Sequence, residues 1–255
     1  MRYFDTHAHL TDESFDADRA ALIGRLPSCG AALIMDVACA SADFEKTLAL
    51  CKKHSFIYGA YGIHPHYASA PGESWEQALI NALNDDKAVC LGEIGLDYHY
   101  DLSEKEDQKK LFDYQLSLAR RLGKPVSLHI REAFGDAMDI LKANRDGLQG
   151  VMHCFSGSVE TARECLDMGL YIALGGAVTF KNAVKPIEVA RFVPKDRLLV
   201  ETDCPYMTPA PFRGKRNDPS MVPLIVNAIA AARHEDPEEL AETMLQNGKR
   251  LFSIK

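Results

Sequence analysis

Nowhere do the 255 residues contain an apolar run approaching the roughly 20 that a membrane span needs, so no candidate transmembrane segment is present. The opening Met1-Arg2-Tyr3-Phe4-Asp5-Thr6-His7 has neither the apolar stretch nor the small-residue cleavage site of a secretory leader. Close-spaced cysteines are missing too. The seven present, at positions 29, 39, 51, 90, 154, 165 and 204, form no framework, and an odd, scattered set points to reduced thiols and an expected cytoplasmic location. Basic residues are in deficit, 29 against 36 acidic ones for a net charge of −7, which argues against a broad basic face gripping nucleic acid. Any phosphate recognition must be local or carried by metal. No G-x-G-x-x-G turn follows a strand-like run, which disfavours a dinucleotide-binding open sheet, and there is neither a short repeat nor a low-complexity linker.

What is there is an alternation of short apolar runs with segments of helical periodicity. Strand-like runs are expected at Tyr3 to Leu10, Ala31 to Ala38, Phe56 to His64, Ala88 to Asp97, Pro125 to Arg131, Gly150 to Phe155, Tyr171 to Val178 and Leu198 to Cys204. Helix starts are read at Ser74-x-x-Gln77, at Ser103-x-x-Glu106 and at Asp236-Pro237. Each run is followed by a helix. The expected fold is therefore α/β, a (β/α)8 barrel with parallel strands, formed by residues 1–255 as a single domain.

Six of the nine histidines fall at or just beyond the ends of these runs: His7, His9, His64, His66, His129 and His153. Parallel strands of a barrel all end on one face, so rings far apart in sequence would converge there. Two-residue spacing places His7 and His9 on the same side of a strand, as a pair able to bind one metal. Glu93 stands in an otherwise apolar run, where an ionised carboxylate costs several kcal/mol unless a cation or good hydrogen bonds compensate. His129 and His153, closing adjacent runs, supply nitrogen ligands for a second ion. Glu201 and Asp203 share a face by the same alternation; Asp203 suits a metal ligand that also takes a proton, and Glu201 suits a residue that orients a ligand. In Arg213-Gly214-Lys215-Arg216 the cations Arg213, Lys215 and Arg216 follow the eighth run and so reach the same face, where they are candidates for binding phosphate. His64 and His66 are candidate substrate contacts, and His64 also a candidate for helping the leaving group. Lys109-Lys110 and Arg120-Arg121 read as solvated helix surface, and His54, His99 and His234 carry no partner pattern.

These motifs resemble, almost end to end, those of the TatD-related metal-dependent deoxyribonucleases among the amidohydrolase-like barrels. The likeness rests on Asp5-Thr6-His7-Ala8-His9-Leu10, Gly62-Ile63-His64-Pro65-His66, Gly92-Glu93-Ile94-Gly95-Leu96-Asp97-Tyr98, Pro125-Val126-x-x-His129-x-Arg131, His153-Cys154-Phe155-Ser156-Gly157, Glu201-Thr202-Asp203-x-Pro205-Tyr206, Arg213-Gly214-Lys215-Arg216-Asn217 and Asn247-x-x-Arg250-Leu251-Phe252. The resemblance implies that His7, His9 and Asp203 hold one divalent ion, His129 and His153 a second, and that Glu93 bridges them. The expected cofactors are two divalent ions, magnesium, manganese or zinc. The expected activity is hydrolysis of DNA phosphodiester bonds, exonucleolytic on single-stranded or frayed ends, through a hydroxide between the ions. Glu93, Asp203 and His64 are its candidate catalytic residues, and no obligate protein partner or membrane is expected. Two alternatives stand beside it: a small-molecule ester, lactone, amide or organophosphate hydrolase with the same binuclear site, and a non-catalytic binding protein stabilised by metal.

Overall fold

The computed structural model describes residues 1–255. Eight strands, β1 (Tyr3–Ala8), β2 (Ala31–Ala38), β3 (Ile57–Tyr61), β4 (Ala88–Asp97), β5 (Val126–Arg131), β6 (Gly150–Met152), β7 (Tyr171–Leu174) and β8 (Leu198–Val200), form one sheet in sequential order. Every neighbouring pair is parallel. The helices are α1 (Arg19–Arg25), α2 (Phe44–Lys53), α3 (Trp75–Leu83), α4 (Lys105–Leu122), α5 (Phe134–Ala143), α6 (Val159–Asp167), α7 (Val184–Phe192), α8 (Val222–Arg233) and α9 (Pro237–Leu251). The expected (β/α)8 barrel is the observed fold.

Closure between β8 and β1 uses little ladder. A single parallel bridge joins Ala8 to Cys204, and Asp203 N–H donates to the His7 carbonyl at 2.9 Å. Side chains complete the seam: the buried Asp5 carboxylate accepts from Thr202 N–H at 2.9 Å and from the Thr202 hydroxyl at 2.6 Å.

Two apolar layers hold the barrel. The larger, of 57 buried residues, lies between sheet and helices. The smaller fills the lumen, with Phe4, Met35, Val37, Ala60, Cys90, Val151, Tyr171, Ala173 and Leu199 from the strands meeting Leu245, Leu251, Phe252 and Ile254 from the C-terminal segment. That segment plugs the lower end, so only the upper mouth stays open.

Strict alternation would send Phe4 and His7 to opposite sides of β1, and Cys90 and Glu93 to opposite sides of β4. Both strands break register between those positions, β1 between Asp5 and Ala8, β4 between Leu91 and Ile94. The irregularities re-aim His7 and Glu93 into the mouth above the apolar lumen. Just above, Gly95 has φ +145°, and a Cβ there would run into the His129 carbonyl, so only glycine lets β4 approach β5 this closely.

Several expected boundaries need correction. β1, β3, β6, β7 and β8 end two to four residues before the apolar pattern does, because Ile63, Phe155 and Val178 stay buried after their backbone has left the ladder and Cys204 keeps only an isolated bridge. Neither serine capping box forms. Ser74 makes no side-chain cap bond, and Ser103 lies before the N-cap of α4, where its hydroxyl donates to the His66 carbonyl at 2.9 Å. Asp236 does cap α9, accepting from Glu238 and Glu239 N–H at 2.9 and 3.0 Å with Pro237 in the first turn.

Candidate metal centre

The mouth gathers five imidazoles around one buried carboxylate. Glu93 lies 3.3 Å from His7, 3.9 Å from His9, 3.6 Å from His64, 2.7 Å from His129 and 3.4 Å from His153. Asp203, in the left-handed backbone region at φ +57°, approaches His9 Nε2 to 3.6 Å and His153 Nε2 to 4.0 Å. The six residues expected to serve as ligands thus come together. Asp203 reaches them from the loop after β8 rather than by strand alternation, because β8 already ends at Val200.

The outer nitrogen of each ring says what the inner one can do. His9 Nδ1 lies 3.0 Å from the Val37 carbonyl, which can only accept, so Nδ1 carries a proton and Nε2 points inward. His129 Nε2 meets the Asp97 carboxylate at 3.0 Å, which turns Nδ1 towards Glu93 at 2.7 Å. His153 Nδ1 sits 2.9 Å from Glu201 Oε1, out of line for a good hydrogen bond, and directs Nε2 inward. His7 Nδ1 has the Ser127 hydroxyl at 3.4 Å, and its Nε2 faces His9 Nε2 at 3.3 Å. Such outer acceptors are what orient metal-binding histidines. His64 is built the opposite way: its Nδ1 accepts from His66 N–H at 3.2 Å, so the proton sits on Nε2, which becomes a donor.

Imidazoles that turn one nitrogen onto buried carboxylates can exchange the inner proton for a cation. The donor set fits a divalent ion: His7, His9 and Glu93 offer atoms within 4.8 Å of one another, as do His7, His153 and Asp203. Burial opposes charge on His9 and His153, but Cys39, Asp203 and Glu93 raise the first and Glu201 and Glu93 the second, so their inner nitrogens carry protons that a metal would displace. Burial works against charge on Glu93, but the surrounding imidazoles hold its carboxyl well below the usual range. Burial drives His64 down to about 4, while for His129 burial is outweighed by Glu93 and Asp97, which raise it to about 9.

Around this centre, His66 Nε2 shares Asp97 with His129, at 3.0 Å. The other Asp97 oxygen accepts from His99 and Tyr100 N–H, both at 3.0 Å, so the residue braces the His129 ring and a loop at once. The basic segment divides. Arg213 stacks on Phe180 at 3.7 Å and Lys215 lies 5.7 Å from the Phe212 ring, neither paired with a carboxylate. Arg216 does not meet the expectation of a phosphate contact, since it forks onto Asp18 at 2.8 and 2.6 Å, donates to the Ser14 carbonyl at 2.7 Å and covers Phe15. His99, expected to be partnerless, lies 2.8 Å from Glu132 at the surface.

Three neighbours escaped the sequence reading. Gln115 of α4 accepts from Ile63 N–H at 2.8 Å and donates to its carbonyl at 3.0 Å, fixing the residue before His64. Gln108 does the same for Asp97, at 2.8 and 3.1 Å. The Cys39 thiol donates to Glu93 Oε2 at 3.5 Å. Only the helical spacing of Gln108 and Gln115, seven residues apart on one face, hinted at a shared role.

A parallel barrel whose one open mouth converges histidines and carboxylates on a cation site defines the class, that of barrel-type metal-dependent hydrolases. The chain belongs to the TatD related DNase family, whose sequence model matches residues 4–253. It is 44% identical over 253 residues to the uncharacterized metal-dependent hydrolase YabD of Bacillus subtilis, covering 98% of this chain and 99% of the relative. It is 32% identical over 257 residues to the 3'-5' ssDNA/RNA exonuclease TatD of Salmonella typhimurium, covering 98% of this chain and 99% of the relative. In structure it is similar to the TatD homologue YJJV of Escherichia coli K12, with a TM-score of 0.94, 33% identity, and 100% and 99% of the two chains covered.

Proposed function

We propose that the chain is a two-metal exonuclease that hydrolyses phosphodiester bonds at the ends of single-stranded or frayed DNA. The observation that carries this reading is the ring orientation. Four histidines turn a ring nitrogen inward onto a shared carboxylate, with the outer nitrogen of each held by a neighbour, while a fifth, His64, accepts at its outer nitrogen and presents a proton inward. In this reading His7, His9 and Asp203 hold one ion, His129 and His153 the other, and Glu93 is common to both. Divalent ions so held would lower the pKa of water and offset charge on a phosphoryl group.

The protein's own groups supply the rest. Asp203 has its pKa lowered, burial being outweighed by His9, His153 and His7, so it is ionised at neutral pH and serves as acceptor for the proton released by the attacking water. His64 Nε2–H donates towards the oxygen of the leaving group, held by the His66 amide and backed by Gln115. Arg213 and Lys215 hold phosphate further out. The activity named for the Salmonella relative supports a nucleic acid substrate, and the net charge of −7 favours grip on a few nucleotides over a long duplex.

The test is digestion of 5′-labelled and 3′-labelled single-stranded DNA by metal-stripped protein resupplied with magnesium, manganese or zinc. A ladder that needs metal, shrinks at least about a thousandfold in rate in Glu93→Ala and falls roughly 10²- to 10⁴-fold in Asp203→Asn is expected. Intact DNA under every metal, together with turnover of simple esters, would replace this reading with that of a small-ester hydrolase.

A further inference from the structure

Large apolar side chains left exposed are informative when they gather on one face. Six are exposed in this chain: Tyr67, Tyr100, Leu102, Val184, Tyr206 and Phe212. Each lies between the end of a strand and the first turn of the next α-helix, after β3 for Tyr67, β4 for Tyr100 and Leu102, β7 for Val184, and β8 for the last two. All six therefore belong to the mouth side, and the remaining surface has none.

Two of them stand next to the metal centre. Tyr100, 54% exposed, has its ring 5.4 Å from that of His66, with the Arg131 guanidinium 4.5 Å from the ring centroid. Tyr206, 57% exposed, lies 6.2 Å from the His9 ring, edge to face. His66 belongs to the β3 and β4 side of the mouth and His9 to the β1 and β8 side. Two flat rings thus flank the centre from opposite sides, each one imidazole away from it. Arg131 pairs with no carboxylate, which leaves its charge free for an anion beside the Tyr100 ring.

A flat ring with a cation over one face matches a nucleotide, whose base stacks on the other face while its phosphate pairs with the cation. We propose that Tyr100 and Tyr206 are stacking platforms for the two nucleotides on either side of the scissile bond, with Arg131 holding the phosphate on the Tyr100 side. The proposal rests on the nuclease reading and deepens it to single strands, because a duplex keeps its base faces covered. Neither platform reads base identity, since every base offers a face.

Fluorescence anisotropy on the metal-loaded protein tests this, using short labelled single strands with phosphorothioate linkages, one bearing bases throughout and one abasic at its two terminal nucleotides at each end. Tyr100→Ala and Tyr206→Ala should each weaken the base-bearing strand about tenfold and the abasic strand less than about twofold, while Tyr100→Phe and Tyr206→Phe, which keep the ring, bind like the parent. Unchanged binding in the alanine variants, equal weakening of both strands, or loss in the phenylalanine variants overturns the platforms. A parent protein that prefers base-bearing strands yet never cleaves unmodified DNA sinks the nuclease reading and leaves the platforms standing. Cleavage without preference for bases does the reverse.

Discussion

A buried carboxylate reports its surroundings through its proton affinity, as Asp36 does on β2. Burial pushes it up to about 6, although the Thr47 hydroxyl at 2.9 Å, the charge of His9 and the Leu10 amide at 2.6 Å favour its ionised form. In the unfolded chain an aspartate titrates near 3.9. The folded state thus keeps a proton that the unfolded state gives up, and this contribution to stability is full below about pH 4 and lost as pH rises through about 6. Asp36→Asn should remove the dependence. Urea unfolding of the chelated proteins is expected to show the variant gaining on the parent between pH 4 and 6, by on the order of 3 kcal/mol, with a plateau above about 7; a constant difference across that range would refute it. Single residues of this kind were unevenly legible. Glu93 and the six mouth histidines announced themselves as polar groups in or beside apolar runs. Asp36, in an apolar run of its own, went unremarked, because an aspartate bonded to a threonine and a backbone amide leaves no pattern along the chain. Arg216 misled for a related reason: its partner Asp18 lies 198 positions away.

At the scale of elements, the strands position the ligands and α4 positions the loops that carry the rest. Gln108 and Gln115 turn inward from α4 and take up the backbone groups of Asp97 and Ile63, which have no ladder partner where the strands end. Gln115→Leu keeps the packing volume but leaves the Ile63 N–H and C=O buried and unbonded, at about 1–3 kcal/mol for each group. A loss of about 3 kcal/mol in urea unfolding is expected, with a fall in kcat as His64 is freed. A variant that kept parental kcat would show that His64 needs no such support. The helical pattern of α4 was clear in the sequence, yet glutamine is as much at home on a solvated face as on a buried one, so its inward turn was not. Eight strands and their order were legible, because apolar runs alternate with helical spacing throughout. Their upper ends were not, because the residues that follow stay buried among the mouth loops and look apolar whether or not they pair. The register breaks in β1 and β4 left no mark either, since backbone irregularity has no composition of its own.

For the whole molecule the question is whether metal holds the fold or only the mouth. The 57-residue layer between sheet and helices, and the 13-residue lumen closed from below by the C-terminal segment, are complete without any ion. The ligands sit above both layers. Where folding itself depends on metal, the unbound chain lacks a core and chelation unfolds it. This barrel has its core elsewhere, so chelation should leave far-UV circular dichroism unchanged. Metal bound to the folded state alone adds stability, so on chelation the melting temperature should fall, by several degrees, and recover when metal is restored in excess. Loss of secondary structure on chelation would instead place metal among the groups that hold the barrel closed, and would favour a role for it in stability over one in catalysis. The seam between β1 and β8 is where that second outcome would begin: it is the shortest stretch of ladder in the barrel, and His7, His9 and Asp203 lie along it. An ion shared by those three residues would tie the two edges together from above, much as the Asp5 and Thr202 side chains do from within. Comparing hydrogen exchange at the His9 and Asp203 amides with and without metal therefore separates the two effects: protection lost at the seam alone marks a clasp, and protection lost throughout the sheet marks a metal-dependent fold.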